Sequence, residues 1–575
     1  MIRFQFNFAD QQGVVEPYVF TNPEYVIEAN EVQDIEPAFK RIEEAIEEGM
    51  YVAGYVSYEA APAFDERFKV ALNPEMPLLK MGVFRDTSAV PLKSTTNDYE
   101  VSNWKLQSNY TEYQRGIRAI HEAIEKGDTY QVNYTARLKA EFSGNDHALF
   151  NVLAHNQRSS YSAYLHFDDY SILSASPELF FRKDGGLLTT KPMKGTVKRG
   201  KTTIEDEELR QHLSESEKDR SENVMIVDLL RNDLGRIARP GTVKVPRLFE
   251  IETYPTVHQM TSTVQGEIAQ ELPFFEVFRA LFPCGSITGA PKIRTMDYIS
   301  SLEQSPRDVY CGAIGMITPD RNAVFNVPIR TVWIDHNSRI ATYGAGGGIT
   351  WESTSEGEYD ELWVKAKLLT EKRPSFHLLE TIRLENGDYF LVEKHLKRMR
   401  ASATYFQYSW AEKAIYEKIE EIKGCYSNGL YKVRLLLNKE GEITSEVVPE
   451  KELLRAVRCK VAETSVNEED PFLYHKTTHR DVYNEHKDSA YFSVLLWNKR
   501  RELTEFLIGN VVLLIDGDYV TPPIESGLLS GTYREYLIEE GILHVRTLYK
   551  EDLERASEVW MINGLKKWVK VDLVH

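Results

Sequence analysis

The chain is short of cysteine, of positive charge and of unbroken apolar sequence, and each shortage removes a class of protein. Four cysteines, Cys284, Cys311, Cys425 and Cys459, are scattered over 575 residues with no pair at CxxC or metal-ligand spacing. That speaks against a disulfide-stapled secreted fold or a cysteine-built zinc module and for a reducing compartment. Lysine plus arginine number 69 against 87 aspartate plus glutamate, a formal charge of −18. An acidic chain has no broad grip on nucleic acid or anionic lipid, though a local basic pocket stays open to it. No stretch approaches the roughly 18 unbroken apolar residues of a membrane helix. The opening MIRFQFNFADQQ has neither a charged nor an apolar signal-peptide region. The expectation is a cytoplasmic protein with no membrane and no nucleic-acid partner.

What is present reads as ordinary globular material, 42% hydrophobic and 27% charged, with length for several domains. Helix-like and strand-like segments alternate, which predicts α/β architecture. The apolar spacing predicts helices over 35–49 and 109–126, and strands in YVAGYVSYEAA (51–61) and TYQVNYTARLKA (129–140). A charged helix runs into Arg373-Pro374-Ser375, where a new pattern begins, so the expected domains are 1–370 and 375–575.

Four segments of the first domain carry unusual chemistry. In SASPELFFRKDGGLLTTKPMKGTVKRG, Lys194 is flanked by Pro192 and Gly195, which predicts a tight loop whose amides can approach an anion. In RSENVMIVDLLRNDLGRIA, Glu222 shares a helical face with Met225, Ile226 and Leu229, and a carboxylate in an apolar stripe needs a cation or donor. FPCGSITGAPKIRTMDYI makes a glycine loop entering a helix, a geometry suited to anions. In EGEYDELWVKAKLL, Glu358, Glu361 and Lys365 stand at i, i+3 and i+7, a pattern that Mg²⁺ would relieve of repulsion. Singly, each has an ordinary alternative: a loop lysine is usually a solvated charge, Glu222 a helix-dipole partner, the glycine loop a plain turn and the last helix a surface ion-pair ladder.

Together, SPE, PxKGT, ENxMIVDLLRND, GSITGAPK, YCGAIG, GAGGGI and the EYDE helix resemble the chorismate-utilising enzyme family, in that family's order. The resemblance implies a layered α+β fold and a buried chorismate pocket. It implies Glu222 and Glu361 as Mg²⁺ ligands, with Glu358 assisting through water. Tyr310, Arg330 and Lys365 would meet the enolpyruvyl carboxylate, with backbone at Gly346 on the substrate. Gly195 and Thr196 would cradle the ring carboxylate, and Glu178 would be the acid that protonates the departing C4 hydroxyl. Lysine at 194 marks the aminodeoxychorismate synthase branch, where a neutral amine adds at C2 as the C4 hydroxyl leaves, and ammonia then displaces it. That requires desolvation or nearby positive charge at Lys194. Gln131 in GDTYQVNY is neutral where water-activating relatives carry a lysine base, so ammonia is the expected nucleophile. No glutaminase nucleophile loop is visible, which implies ammonia from a separate glutamine amidotransferase subunit or from free ammonium.

The second domain carries an Asn386-Gly387 turn, then Arg398 on a helix three residues after His395. LYKVRLLLNKEGEI reads as a hairpin. Lys476 is expected at a strand end, YFSVLLWNKR (491–500) as a helix, Glu505 on a strand before Gly509-Asn510, and a helix entered at Gly531-Thr532. This ordered set resembles the fold-type IV pyridoxal phosphate enzymes, the class-IV aminotransferase family that includes aminodeoxychorismate lyase. The resemblance implies a smaller α/β domain binding pyridoxal 5'-phosphate. Lys476 would form the Schiff base, and Glu505 would keep the pyridinium protonated. Arg398 with Gly531 and Thr532 would hold the phosphate, with Gly509 and Asn510 assisting. The family's cofactor domains commonly pair, which makes a homodimer through this domain an expectation. Two consecutive steps, amination and then pyruvate loss, would give 4-aminobenzoate. A D-amino-acid or branched-chain aminotransferase in second place, or a non-catalytic chorismate sensor, stay open as alternatives.

Overall fold

The computed structural model describes residues 1–94, 96, 98–371, 373–452 and 456–574. They form two units: Met1–Lys198 with Arg210–Arg373, and Pro374–His575 with Arg199–Leu209. The architecture is mixed α and β in both.

The first unit is built on two ten-stranded sheets. One runs Gly289–Ala290, Gln131–Gly144, Ile340–Ile349, Thr331–Asp335, Tyr170–Ser176, Tyr161–His166, Arg3–Ala9, Val15–Thr21 along its main path. Gln131–Gly144 and Ile340–Ile349 pair without a break from Val132↔Ile349 to Glu141↔Ile340. Gly346 permits this contact, because a Cβ there would run into the backbone of Tyr134 and Thr135. The other sheet begins Met193–Lys198, Val257–Glu267, Leu187–Lys191, Leu179–Asp184. Its core includes Phe39, Phe64, Phe180, Phe181, Phe278 and Phe325, all buried. Each such ring contributes about 1.5–3 kcal/mol by leaving water.

The helix expected over 35–49 spans Ile35–Glu47, and that over 109–126 spans Tyr110–Glu125. The second starts where it does because Asn109 and Glu112 form a reciprocal cap, each side chain accepting the other's backbone N–H at 3.0 Å. The strand expected over 51–61 stops at Val56 and gives way to a 3-10 turn, Tyr58–Ala63. Glu59 explains the break: its buried carboxylate accepts the backbone N–H groups of Arg307 and Asp308 at 2.7 and 2.8 Å. No helix of the described residues is long and apolar enough to cross a membrane. All four cysteines are free.

The second unit holds a four-stranded antiparallel sheet containing Leu378–Glu385 and Leu430–Leu437, and an eight-stranded sheet. The helices Val392–Phe406 and Glu412–Cys425 bury Leu396, Met399, Ala403, Ile415 and Ile419 in the same core as the smaller sheet. The helix expected over 491–500 is instead a strand, Ser493–Trp497, parallel to Val457–Val461. Its run Val494-Leu495-Leu496 is buried on both faces, and an unbroken apolar run carries no period to separate strand from helix. Arg199–Leu209 folds as part of this unit. The Arg199 guanidinium lies over the Tyr405 ring at 4.4 Å and donates to the Tyr405 carbonyl at 2.8 Å, while Tyr405 Oη donates to the Gly200 carbonyl at 2.7 Å. Tyr405 in turn stacks on His475, the residue before Lys476, at 4.2 Å between ring centres.

Candidate active sites

In the first unit the chemistry gathers along the glycines of Ile340–Ile349. A Cβ on Gly348 would press on the Gln131 amide and sit 2.9 Å from Lys194 Nζ. A Cβ on Gly347 would lie 2.9 Å from a Glu358 oxygen and 3.7 Å from Glu361 and from Lys365 Nζ. Side chains at these positions would collide with Gln131, Lys194 and Glu358. Lys194 stands 3.2 Å from Glu222, and Lys365 stands 2.7 Å from Glu361 and donates to the Gly346 carbonyl at 2.6 Å. Burial raises the Glu358 carboxyl above its ordinary range, Ser353 opposes by donating to it, and Glu361 adds repulsion. Carboxylates from two helices, Glu217–Gly235 and Ser355–Ala366, thus face lysines across the strand end. Hard oxygen donors of this number suit Mg²⁺.

Lys194 is not on a loop: it occupies the strand Met193–Lys198, which shifts register against Val257–Glu267 between Met193 and Thr196. Gly195 makes the irregularity at φ +97°, and a Cβ there would touch Asp219 at 3.0 Å. Gln259, which the sequence pattern did not mark, fixes this bulge by accepting from Thr196 Oγ1 at 2.8 Å and donating to the Gly195 carbonyl at 2.8 Å. Asn223 was missed too. It donates to the Lys194 carbonyl at 3.2 Å and accepts from Ser262 at 2.6 Å. Its burial turns the inward face of the helix to Asn223, Ile226, Val227 and Leu230, leaving Glu222 and Met225 half-buried. The charged group paired with Lys194 is a carboxylate, and the lysine side chain is largely shielded from solvent.

Glu178 is buried, and desolvation raises it to about 7 although Ser286 Oγ donates to it at 2.6 Å. A carboxyl that keeps its proton near neutrality can act as a general acid. Arg330 is half-buried at φ +54° beside Tyr343 and Tyr254, and burial lowers its guanidinium from the ordinary range. Among the described residues no carboxylate pairs with Arg330. Tyr310 packs under Arg137 at 4.9 Å and against Gly344, two residues along the strand from Gly346. Lys194, Glu222, Glu358, Glu361 and Lys365 form the cluster, while Arg330 and Tyr310 lie beside Tyr343 and Gly344 of the same glycine-bearing strand.

In the second unit, Lys476 is half-buried in a loop beside the isolated bridge Leu378↔Thr477, not at a strand end. Burial brings its amine down to about 8; Arg398 adds to this and Glu380 opposes it. Glu505 lies on Leu503–Phe506 and is raised to about 7 by burial, against the donors Tyr483 Oη at 2.8 Å and Leu529 N at 3.2 Å. Asn510 donates to it at 3.3 Å. Arg398 is held on two nitrogens by Glu380 at 2.8 and 2.7 Å and donates to the Ser530 carbonyl at 2.9 Å. Gly531 caps the helix Thr532–Glu539, and a Cβ there would collide with Asn510. Thr532 Oγ1 lies 3.1 Å from His395 Nε2, and His395 Nδ1 lies 2.6 Å from Glu380. Glu380 and Tyr483 carry no motif and were missed. A half-buried amine, a buried carboxyl and an arginine beside a helix start are the kinds of group that the aldehyde, ring nitrogen and phosphate of pyridoxal phosphate require.

Residues 4–371 match the family model described as chorismate binding enzyme, and residues 377–574 that of amino-transferase class IV. The chain is 40% identical over 264 residues to aminodeoxychorismate synthase component 1 of Salmonella typhimurium, covering 46% of this chain and 58% of the relative. The protein of that name from Escherichia coli is 41% identical over 271 residues, 47% and 59% of the two chains. The chain spans about a third to about three fifths of the length of curated relatives it matches. Anthranilate synthase component I from Streptococcus pneumoniae superposes with a TM-score of 0.52 at 25% identity, over 64% of this chain and 90% of that one. The chain belongs to the chorismate binding enzyme family, with a class IV aminotransferase domain following in the same polypeptide.

Proposed function

We propose that the chain makes the folate precursor 4-aminobenzoate from chorismate in two steps, one in each unit. The observation that carries the reading is the amine of Lys194 beside Gln131 at the glycine run, with the raised carboxyl of Glu178 in the same unit. Arg330, Tyr310 and Lys365 take the enolpyruvyl carboxylate, and the backbone at Gly195, Thr196 and Gly346 takes the rest of the acid. Glu222 and Glu361, with Glu358 through water, hold Mg²⁺, which supplies neutralising charge for a substrate carboxylate. The neutral Lys194 amine forms a bond to C2 while the C4–O bond breaks, and Glu178 gives the proton that releases water. Ammonia then bonds to C4, the C2–N bond returns its pair to Lys194, and Glu178 regains a proton. Ammonia comes from a separate glutamine amidotransferase subunit, a reading supported by the "component 1" in the relatives' names.

In the second unit, pyridoxal phosphate supplies an electron sink. Lys476 anchors it, Glu505 stands at the ring nitrogen, and Arg398 with the amides at Gly531 and Thr532 takes the phosphate, with Asn510 steadying Glu505. With the cofactor in place, Lys476 would be the base for the C4 proton, and its removal would let the C3–O bond break so that pyruvate leaves and the ring becomes aromatic. No amino acceptor is consumed, which separates this reading from a transaminase. The test is the whole chain with chorismate, ammonium, Mg²⁺ and pyridoxal phosphate and no 2-oxo acid. Equal amounts of 4-aminobenzoate and pyruvate are expected; dependence on a 2-oxo acid, or bound chorismate without turnover, would refute it.

A further inference from the structure

A second group of ligating side chains lies away from the glycine run. Asp146 opens the helix Asp146–Gln157, His166 ends the strand Tyr161–His166, and His336 follows the strand Thr331–Asp335. The strand Tyr170–Ser176 lies between the latter two, with Ser171 directly opposite both His166 and Ile334. Ser171 stands five residues from Ser176, so the group is about 16 Å along that strand from the end that leads to Glu178. One carboxylate oxygen, Asp146 Oδ2, lies 3.1 Å from His166 Nδ1 and 3.4 Å from His336 Nε2. Ser171 Oγ hydrogen-bonds to the same oxygen and lies 2.8 Å from His166 Nδ1 and 3.1 Å from His336 Nε2.

The outer contacts orient these atoms. Asp146 Oδ1 accepts from Tyr164 Oη at 2.9 Å and from the His147 amide at 2.8 Å, leaving Oδ2 for the group. His336 Nδ1 faces the Asp168 carbonyl at 3.2 Å. A carbonyl only accepts, so Nδ1 carries the hydrogen and the lone pair of Nε2 points at Asp146. A proton on Nε2, the hydroxyl hydrogen of Ser171 or a metal ion can join this nitrogen to the carboxylate. Tetrahedral zinc with bonds of about 2.0–2.2 Å spaces its ligands about 3.3 Å apart, which is the Asp–His spacing found. The two histidines are a fifth to a quarter exposed, so an ion can enter and water can fill a fourth position.

We propose that Asp146, His166 and His336 bind a zinc-class transition-metal ion that clamps the helix start to the two strands flanking Tyr170–Ser176. Two imidazoles and one carboxylate favour Zn²⁺ or Co²⁺ over Mg²⁺ and Ca²⁺, which prefer all-oxygen sites. Binding displaces the proton from His336 Nε2 into solvent, so metal uptake releases acid.

The test uses the full chain, stripped with chelator and kept in excess Mg²⁺ so that the Glu222–Glu361 carboxylates are occupied. Titration with Zn²⁺ should show one equivalent bound with proton release, and Co²⁺ should give visible bands of a four-coordinate nitrogen–oxygen site. His336→Gln and His166→Ala should each weaken binding at least tenfold and abolish those bands, with chorismate turnover retained. Zinc uptake and cobalt spectra that are the same in wild type and both variants would overturn the proposal, as would no uptake by the wild type.

Discussion

Replacing Glu178 by glutamine separates the stability and the chemistry of one buried carboxyl. Burial raises Glu178 from 4.5 to about 7, which corresponds to about 3 kcal/mol against the ionised form. The unfolded chain releases this proton near pH 4.5, whereas the folded chain keeps it to about 7. Wild-type stability therefore falls as pH rises through that window and levels off above it. Glutamine has the same shape, still accepts from Ser286 Oγ, and does not titrate. Glu178→Gln should thus gain on the wild type by about 3 kcal/mol between pH 4.5 and 8, or about 4 °C for a unit of this size. Scanning calorimetry at pH 5 and pH 8, read on the transition that the mutation shifts, measures the gap. The same variant should aminate chorismate about 10²–10⁴-fold more slowly. The wild-type pH–rate profile should show an inflection near 7 that the variant lacks, as the acid loses its proton. A melting gap that does not change with pH would show that Glu178 titrates as an ordinary glutamate, and the acid role would go with it.

Gly348→Ala should leave the chain folded, because the atoms nearest its Cβ are side-chain ends of Gln131 and Lys194 rather than backbone, yet raise KM for chorismate at least tenfold; unaltered kinetics would place the substrate elsewhere. Lys476→Ala should erase the visible absorbance of the pyridoxal phosphate-loaded protein and pyruvate release while sparing chorismate consumption, and persistence of the band would exclude Lys476 as anchor. Lys292→Ala leaves the buried Asp233 carboxylate, 2.8 Å from the lysine, without its cation. It should cost about 3–5 kcal/mol in urea unfolding, and a loss under 1 kcal/mol would mean that water replaces the lysine.

Segments with a clear period or a cap were legible: Ile35–Glu47 and Tyr110–Glu125 came out within two residues of the reading. The misses share a cause, since distant partners decided them. The strand from Tyr51 ends early because Glu59 binds backbone more than 240 residues away. Ser493–Trp497 is a strand because it lies inside a sheet whose neighbour, Val457–Val461, is not adjacent in sequence. Lys194 looked like a loop residue because Pro192 and Gly195 flank it, but the register shift against Val257–Glu267 absorbs both within a strand. The motifs marked which residues carry charge. Asn223 lies within a motif but carries no charge, and Gln259, Glu380 and Tyr483 act through hydrogen bonds to partners that are distant in sequence.

Two carboxyls show how far the surroundings decide a role that residue type leaves open. Glu178 and Glu505 are both buried, and burial brings each to about 7. Glu178 has one donor, Ser286, and no lysine or arginine contributes to its shift, so its ionised form is poorly solvated by the protein and the proton stays. Glu505 receives Tyr483, Asn510 and the Leu529 amide, with Arg480 and Lys476 nearby. Its ionised form is already hydrogen-bonded, and a cationic ring nitrogen beside it would complete the balance. One site therefore keeps an acid and the other is ready to become an anion. The difference rests on Ser286, 108 positions from Glu178, and on Tyr483, 22 positions from Glu505, placed there by separate folds.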